Sequence, residues 1–173
     1  MSSVHLLIKN EEYEAINEEL TNTNEELLKA KKRVEENELL LNEAGELAKV
    51  GGWKIDLKTQ KLTWTKEVYK IHDVPYDYQP TVEEAINFYD DNSKNIIQKA
   101  VNDAVKFGKS FNVDLGIITA KGNKLQVKSL GKIQFDENGK PELIFGTFQD
   151  ITEQKRTENA LKESEETLKL VIK

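Results

Sequence analysis

A heptad repeat of apolar residues in the first third of the chain is the feature that most constrains the fold. Counting Tyr13 as position a, the a positions are strongly apolar and the d positions are weak. The a set is Tyr13, Leu20, Leu27, Val34, Leu41 and Ala48, and the d set is Ile16, Thr23, Ala30, Asn37 and Ala44. This spacing predicts a long amphipathic helix with a coiled-coil seam whose register is fixed by Asn37.

Two interpretations of this helix stay open. For residues 11–36 we favour pairing with a second copy of the chain, in a coil of limited stability because the d positions are weak. For residues 37–49 we expect the alternative, in which a lone amphipathic helix lies on its own domain.

The apolar period then changes to two. Gly51 and Gly52 are expected to end the helix, because glycine readily takes the left-handed conformation of helix ends. Apolar residues alternate with polar ones from Trp53 to Leu57, and again around Leu62 and Trp64. This pattern predicts a β-hairpin with one buried face.

Short helices are predicted for residues 66–107. Pro75 and Pro80 interrupt the segment, and Thr81 is placed to cap a helix. The longest helix is expected from about Ser93, with one apolar stripe, up to Gly108.

Three further strands follow, and the last one continues directly into a helix. Apolar residues alternate over 111–117, 125–133 and 141–149, and Asn138-Gly139 is a strong hairpin signal. After the last strand, Asp150 is placed to cap a helix and Glu153 to reach back to it.

The order of elements predicts an α+β fold: a five-stranded antiparallel sheet with short helices on one side, a long N-terminal helix and a C-terminal exit helix. We divide the chain into a coiled-coil helix (1–48), a domain (49–151) and a signalling helix (152–173). In the last helix, apolar spacing begins a second coil that is expected to lead to a further domain.

Composition excludes several partners. The formal charge is −6, and the one basic cluster, Lys29–Arg33, is followed at once by acidic residues, which argues against nucleic-acid binding. No segment approaches the roughly 20 apolar residues of a membrane span, so we expect no membrane contact and a cytoplasmic location. The chain has no cysteine and therefore no disulfide or thiol nucleophile.

Three segments carry a family resemblance that covers roughly residues 37–155. They are Ala48–Asp56 together with Trp64, Tyr89–Asp91, and Gly146–Glu153, which contains Asp150-Ile151-Thr152. The sequence resembles the PAS family, in particular the PAS/PAC sensory boxes common in bacterial sensor histidine kinases.

The resemblance implies a sensory or relay module in a multidomain receptor of a two-component system. In the family, the junction at Asp150, Ile151 and Thr152 transmits the signal to the exit coiled coil. The resemblance further implies a homodimer through the N- and C-terminal helices and an output domain in cis, most often a histidine kinase and sometimes a cyclic-dinucleotide enzyme. The alternative is a ligand-free dimerisation or protein-interaction scaffold.

No catalytic motif supports an enzyme. The spacings of a phosphate loop, a zinc site or a nucleophile triad do not occur in the sequence. His72 and Asp73 are adjacent and leave an acid–base dyad open, but we interpret His72 as the exposed end of a short helix.

Known ligands of the family are constrained by the residue types present. A cysteine-linked flavin is excluded, and the longest helix has no histidine for haem, which leaves His72 as the one plausible axial donor. An unidentified small organic ligand and a filled core remain, with Ser129, Thr147 and Asn112 as polar candidates. The predicted lining is Trp53, Ile55, Trp64, Val68, Ile71, Phe88, Ile97, Val101, Val113, Leu115, Val127 and Phe145.

Overall fold

The computed structural model describes residues 3–172, and these form five helices and five strands. In chain order the elements are α1 (Ser3–Ala48), β1 (Val50–Asp56), β2 (Lys61–Trp64), α2 (Lys66–Ile71), α3 (Val82–Asn87), α4 (Asp91–Phe107), β3 (Phe111–Ile118), β4 (Lys124–Phe135), β5 (Pro141–Asp150) and α5 (Thr152–Val171). The chain divides into two compact units between Leu41 and Asn42. The domain limits predicted from sequence stay predictions, and residues 1, 2 and 173 lie outside the described residues.

The first unit is the greater part of α1. None of the described residues of this helix is buried, and the seam residues Leu20 and Leu27 are fully on the surface. The predicted long N-terminal helix is thus confirmed. Its pairing with a second copy stays a prediction.

The second unit is built on one antiparallel sheet with the strand order β2-β1-β5-β4-β3. Neighbouring strands are antiparallel in all four pairs, so the predicted α+β fold with a five-stranded antiparallel sheet is confirmed. The inner face of the sheet packs against α2 and α4 through an apolar cluster. This cluster contains Trp64, Val68, Ile71, Ile97, Leu115, Ile117, Val127 and Phe148.

Two glycines allow two large rings to lie across the middle of the sheet. Trp53 of β1 is opposite Gly146 of β5, which is opposite Gly131 of β4, which is opposite Phe111 of β3. The rings of Trp53 and Phe111 stack with centroids 6.1 Å apart. A Cβ at Gly131 would collide with the Phe111 ring, so a glycine there is required by this stacking.

The end of α1 differs from the prediction. Gly51 and Gly52 were expected to end the helix, but both lie in β1, and the residue with left-handed conformation is Lys49, with φ 52°. A Cβ at Gly51 would meet the Val68 side chain. The absence of a side chain at Gly51 therefore allows β1 to pack closely against α2, and Gly51 has no role in ending the helix.

Capping residues determine where helices α3 and α4 begin and where α4 ends. Thr81 caps α3 as predicted, and its hydroxyl and the Glu84 carboxylate form a reciprocal capping box. Asp90 caps α4 by accepting from the Ser93 amide at 2.8 Å, so the helix begins two residues earlier than expected. Gly108, with φ 66°, ends it as predicted.

Candidate functional site

A small apolar cavity lies between the inner face of the sheet and helices α2, α3 and α4. Its volume is about 80 Å³. It is lined by Trp53, Ile55, Leu62, Trp64, Val68, His72, Val82, Ala85, Ile86, Tyr89, Ile97, Val101, Ser129 and Phe148. The walls are thus almost wholly apolar, with a few polar atoms.

The structure separates the predicted lining residues into three groups. Trp53, Ile55, Trp64, Val68, Ile97 and Val101 line the cavity. Ile71, Leu115 and Val127 are buried in the core, and Phe88 and Val113 are half-buried against it, without lining the cavity.

Phe145 is a correction to the predicted lining. Its side chain is 39% exposed, because it lies opposite Lys54 and Lys132 on the outer face of the sheet. Strand residues alternate between faces, so the inward positions of β5 belong to Ile144 and Phe148. The alternation starting from Ile144 is the signal that could have placed Phe148 in the site.

His72 is a second correction, because it is buried and not an exposed helix end. It is 2% exposed, and its ring stacks on Trp64 and on Phe148, with centroids 4.4 and 5.0 Å apart. The Asp73 carboxylate instead accepts a hydrogen bond from the Asn123 side-chain amide at 2.9 Å. The structure therefore does not support an acid–base dyad of these two residues.

The proton of His72 can be assigned from its contacts. Burial lowers its pKa to about 4, so the imidazole is neutral near pH 7. Nδ1 lies 2.8 Å from the carbonyl oxygen of Val68. Because a carbonyl oxygen only accepts, Nδ1 carries the proton and Nε2 is a hydrogen-bond acceptor.

His72 and Ser129 are the buried polar residues of the cavity wall. Both residues line it, and Ser129 is only 1% exposed. In the described part of the chain, no side-chain nitrogen or oxygen is both sealed from space and without a partner. Of the other two polar candidates, Thr147 and Asn112 are exposed.

Haem and flavin do not fit this cavity. Sites for cofactors of that size occupy about 300–1,000 Å³, whereas this cavity measures about 80 Å³. Holding either group would require the aromatic rings around His72 to separate.

The predicted signal junction is held against β4 by backbone and hydroxyl hydrogen bonds. The Ile151 amide donates to the carbonyl of Gln126 at 2.8 Å, and the Gln126 amide donates to the Thr152 hydroxyl at 3.0 Å. Asp150 accepts from the amide and hydroxyl of Thr152, at 2.9 and 2.5 Å. The Ile151 side chain is buried.

Glu153 was predicted to reach back to Asp150, but it does not. Its carboxylate pairs with Lys49 Nζ at 3.1 Å, while the Asp150 amide donates to the Lys49 carbonyl. Lys155 pairs with Asp114 of β3 at 2.8 Å. The first turn of α5 is therefore tied to β3, to β4 and to the link between α1 and β1.

Phe148 lies beside the cavity and close in sequence to the junction. Phe148 lines the cavity and stacks on His72, and Asp150 follows two positions later in the same strand. In the sheet register, Phe148 is opposite Ser129 of β4, and Asp150 is opposite Val127 of β4. Phe148 therefore contacts His72 and lies four residues before the start of α5.

This architecture is found in solved sensory domains. A sensory box histidine kinase/response regulator from Burkholderia thailandensis E264 superposes with a TM-score of 0.56 at 23% identity, over 73% of this chain and 95% of that one. The N-terminal domain of a diguanylate cyclase with PAS/PAC sensor from Marinobacter aquaeolei gives a TM-score of 0.57 at 15% identity, over 61% and 97%. The fold is that of a PAS domain.

Two curated proteins match this chain by sequence. Probable diguanylate cyclase DgcE of Escherichia coli strain K12 is 23% identical over 133 residues, which is 77% of this chain. Sensor protein FixL of Bradyrhizobium diazoefficiens is 23% identical over 123 residues, or 71% of this chain. The chain spans 12% and 24% of the lengths of these relatives, and no family model matches it.

None of the helices within 3–172 is long and apolar enough to cross a membrane. In the same residues, no group of three or more His, Asp or Glu side chains has the arrangement of a metal site.

Proposed function

We propose that this PAS domain is a sensory or relay module of a multidomain signal-transduction receptor. A change in its core passes through Asp150, Ile151 and Thr152 to α5. The observation that carries the proposal is the position of Phe148, which borders the cavity and lies two residues before Asp150 in β5. The hydrogen bonds of Thr152 and Ile151 to Gln126 make α5 sensitive to shifts of the sheet.

The output we propose is a histidine kinase of a two-component system, in the cytoplasm and in cis with this chain. The solved sensory box of the histidine kinase/response regulator from Burkholderia thailandensis supports this choice by fold. A diguanylate cyclase is the other output that the similar proteins suggest. In either case the domain itself binds or relays and does not catalyse.

The two flanking helices are proposed to pair with those of a second copy. Apolar seam residues of α1 are exposed in the single chain, and Leu161 and Leu168 of α5 are exposed at the same three-four spacing. Such faces are buried when two helices form a coiled coil. A weak seam suits a relay, because two packings of it differ by only a few kcal/mol.

The junction is tested by substitution in a fusion of the whole chain to the catalytic core of a histidine kinase. Asp150→Ala and Thr152→Val should each change autophosphorylation at least about threefold. The first removes the carboxylate that accepts from the amide and hydroxyl of Thr152, and the second removes the hydroxyl that accepts from the Gln126 amide of β4. Asp136→Ala is the matched control. Asp136 also accepts from two backbone amides, those of Asn138 and Lys140, but in a hairpin turn away from α5.

The relay is wrong if both junction variants keep circular dichroism spectra of the folded protein and the autophosphorylation rate of the parent fusion. It is equally wrong if the Asp136 variant changes the rate as much as they do.

A ligand-free dimerisation scaffold is the second candidate function. The small volume of the cavity favours it, because 80 Å³ is below that of sites for most cofactors. A scaffold predicts that junction substitutions leave kinase output unchanged while the helices still pair.

A further inference from the structure

The last turn of α1 and the first turn of α5 lie at one corner of the sheet. Because β1 and β5 are antiparallel neighbours, the start of β1 lies beside the end of β5, and Val50 is opposite Gln149 in the register. Helix α1 ends two residues before Val50, and α5 begins two residues after Asp150. The points where the chain enters and leaves the sheet are therefore adjacent.

Lys49 is the single residue between α1 and β1, and it contacts the exit from the sheet twice. Its carbonyl oxygen accepts from the Asp150 amide at 3.1 Å, and its Nζ donates to the Glu153 carboxylate at 3.1 Å. With φ 52°, Lys49 has the left-handed conformation at the point where the helix passes into the strand. Its main chain and its side chain therefore both hold the residues where β5 passes into α5.

The last turn of α1 is packed closely against the start of β1. A Cβ at Gly45 would lie 2.6 Å from the carbonyl oxygen of Val50, so one of the two would have to shift. The Lys49 amide donates to the Glu46 carbonyl at 3.2 Å, and the Glu46 carboxylate pairs with Lys70 of α2. A displacement of this turn is therefore carried to Lys49.

The link through Lys49 does not pass through the core. The described lining of the cavity includes neither Gly45 nor Lys49 nor Glu153. The side chains of Lys49 and Glu153 are 52% and 83% exposed, so their ion pair is weak and sensitive to salt. The backbone hydrogen bond from Asp150 does not depend on this pair, so the side-chain contact strengthens a link that the main chain already makes.

We propose that Lys49 is a positioning residue that couples the last turn of α1 to the first turn of α5, so that a displacement of α1 reaches the exit helix without a change of packing in the core. The inference rests on the proposed relay to α5 and gives it a second input. That input is a movement of α1, such as the one that accompanies a change in its pairing with a second copy of the chain.

Gly45→Ala in the full 173-residue chain tests the link, because the added methyl group displaces the last turn of α1 from β1. Amide hydrogen exchange of Thr152 and Lys155 should become at least about threefold faster, beyond the change in global stability. The NMR signals of the Trp64 and Phe148 side chains should keep their parent positions, which separates this route from one through the core.

Two substitutions of Lys49 assign the side-chain contact. Lys49→Met removes the charge, so it should reduce the effect of Gly45→Ala on the two amides by about half. Lys49→Arg should keep the full effect, because a guanidinium also pairs with the Glu153 carboxylate. Without Gly45→Ala, Lys49→Met should speed the exchange of the two amides about twofold and Lys49→Arg should leave it unchanged, which tests the contact even where Gly45→Ala does not fold.

Gly139→Ala is the control for global stability. Gly139 has φ 74°, so a side chain there is strained, but it lies in the turn between β4 and β5. This variant should lower global stability without a local effect at Thr152 and Lys155.

The inference is overturned if Gly45→Ala changes the two amides only in proportion to global stability, or if Gly139→Ala has the same local effect. It is also overturned if the Trp64 and Phe148 signals move with Gly45→Ala, or if Lys49→Met and Lys49→Arg behave alike. The kinase fusion with junction substitutions tests the relay separately, so failure of this link leaves the proposed function standing.

Discussion

At the scale of single residues, the site depends on a histidine that the sequence places wrongly. His72 follows a short helix and precedes a charged residue, a local pattern typical of an exposed helix end. Its burial results from Trp64, Phe88 and Phe148, which come from three separate segments of the chain. Such a contact set is not encoded in local periodicity, so sequence reasoning could not find it.

Burial of His72 predicts a loss of stability at mildly acidic pH. The pKa of the imidazole is about 4 in the folded chain and 6.5 when unfolded, so only the unfolded state gains the proton between these values. The free energy of unfolding should therefore fall as pH drops below 6.5, by about 2 kcal/mol at pH 5, and this loss should level off below pH 4. Urea denaturation at pH 7.5 and pH 5 measures the difference.

His72→Phe is the control for this pH effect. It should be less pH-sensitive by about 2 kcal/mol over the same interval, because the ring no longer titrates. Equal pH dependence of the variant and the parent chain would contradict the assignment of this effect to His72. The half-buried Glu67 carboxyl acts in the opposite direction, because burial raises its pKa and the folded state therefore binds its proton more readily as the pH falls.

At the scale of elements, the sequence predicted the sheet well because alternation decides which residues form strands. The β3 alternation and the Asn138-Gly139 turn placed the last three strands within a few residues. The junction was predicted only in part. Glu153 fits a capping box locally, but Lys49, distant in sequence, takes its carboxylate.

Gly131 and Gly146, which are opposite each other in the middle of the sheet, are expected to tolerate no Cβ. Gly131→Ala should lower the free energy of unfolding by about 1–3 kcal/mol, because the methyl group overlaps the Phe111 ring and disturbs its stacking on Trp53. Gly52→Ala is the control, since its nearest neighbour is the Thr65 methyl at 3.3 Å. Urea denaturation of both variants measures the effect. Similar losses in the free energy of unfolding of the two variants would contradict this role of Gly131.

At the scale of the whole molecule, the chain is expected to self-associate through the seam of α1. Leu27 occupies an a position and Leu28 the next position outside the seam, and the two are similarly exposed in the single chain, at 62% and 67%. Sedimentation equilibrium should show a dimer that Leu27→Asp weakens at least about tenfold, because each copy loses one buried leucine.

Leu28→Asp should leave the association unchanged in the same experiment. A monomeric parent chain, or equal weakening by both substitutions, would show that the heptad seam does not pair.

The most direct test of the relay is amide hydrogen exchange at the start of α5. The Thr152 amide donates to the Asp150 carboxylate, and the Lys155 amide donates to the Ile151 carbonyl. Phe148→Leu, which removes the stacking on His72, should speed their exchange at least about fivefold beyond the change in global stability.

The control for this measurement is Ala104→Gly, in the buried face of α4. It should lower global stability without this local effect at Thr152 and Lys155. If both variants change the two amides only in proportion to global stability, core packing is not coupled to the exit helix, and the account of this domain as a relay is contradicted.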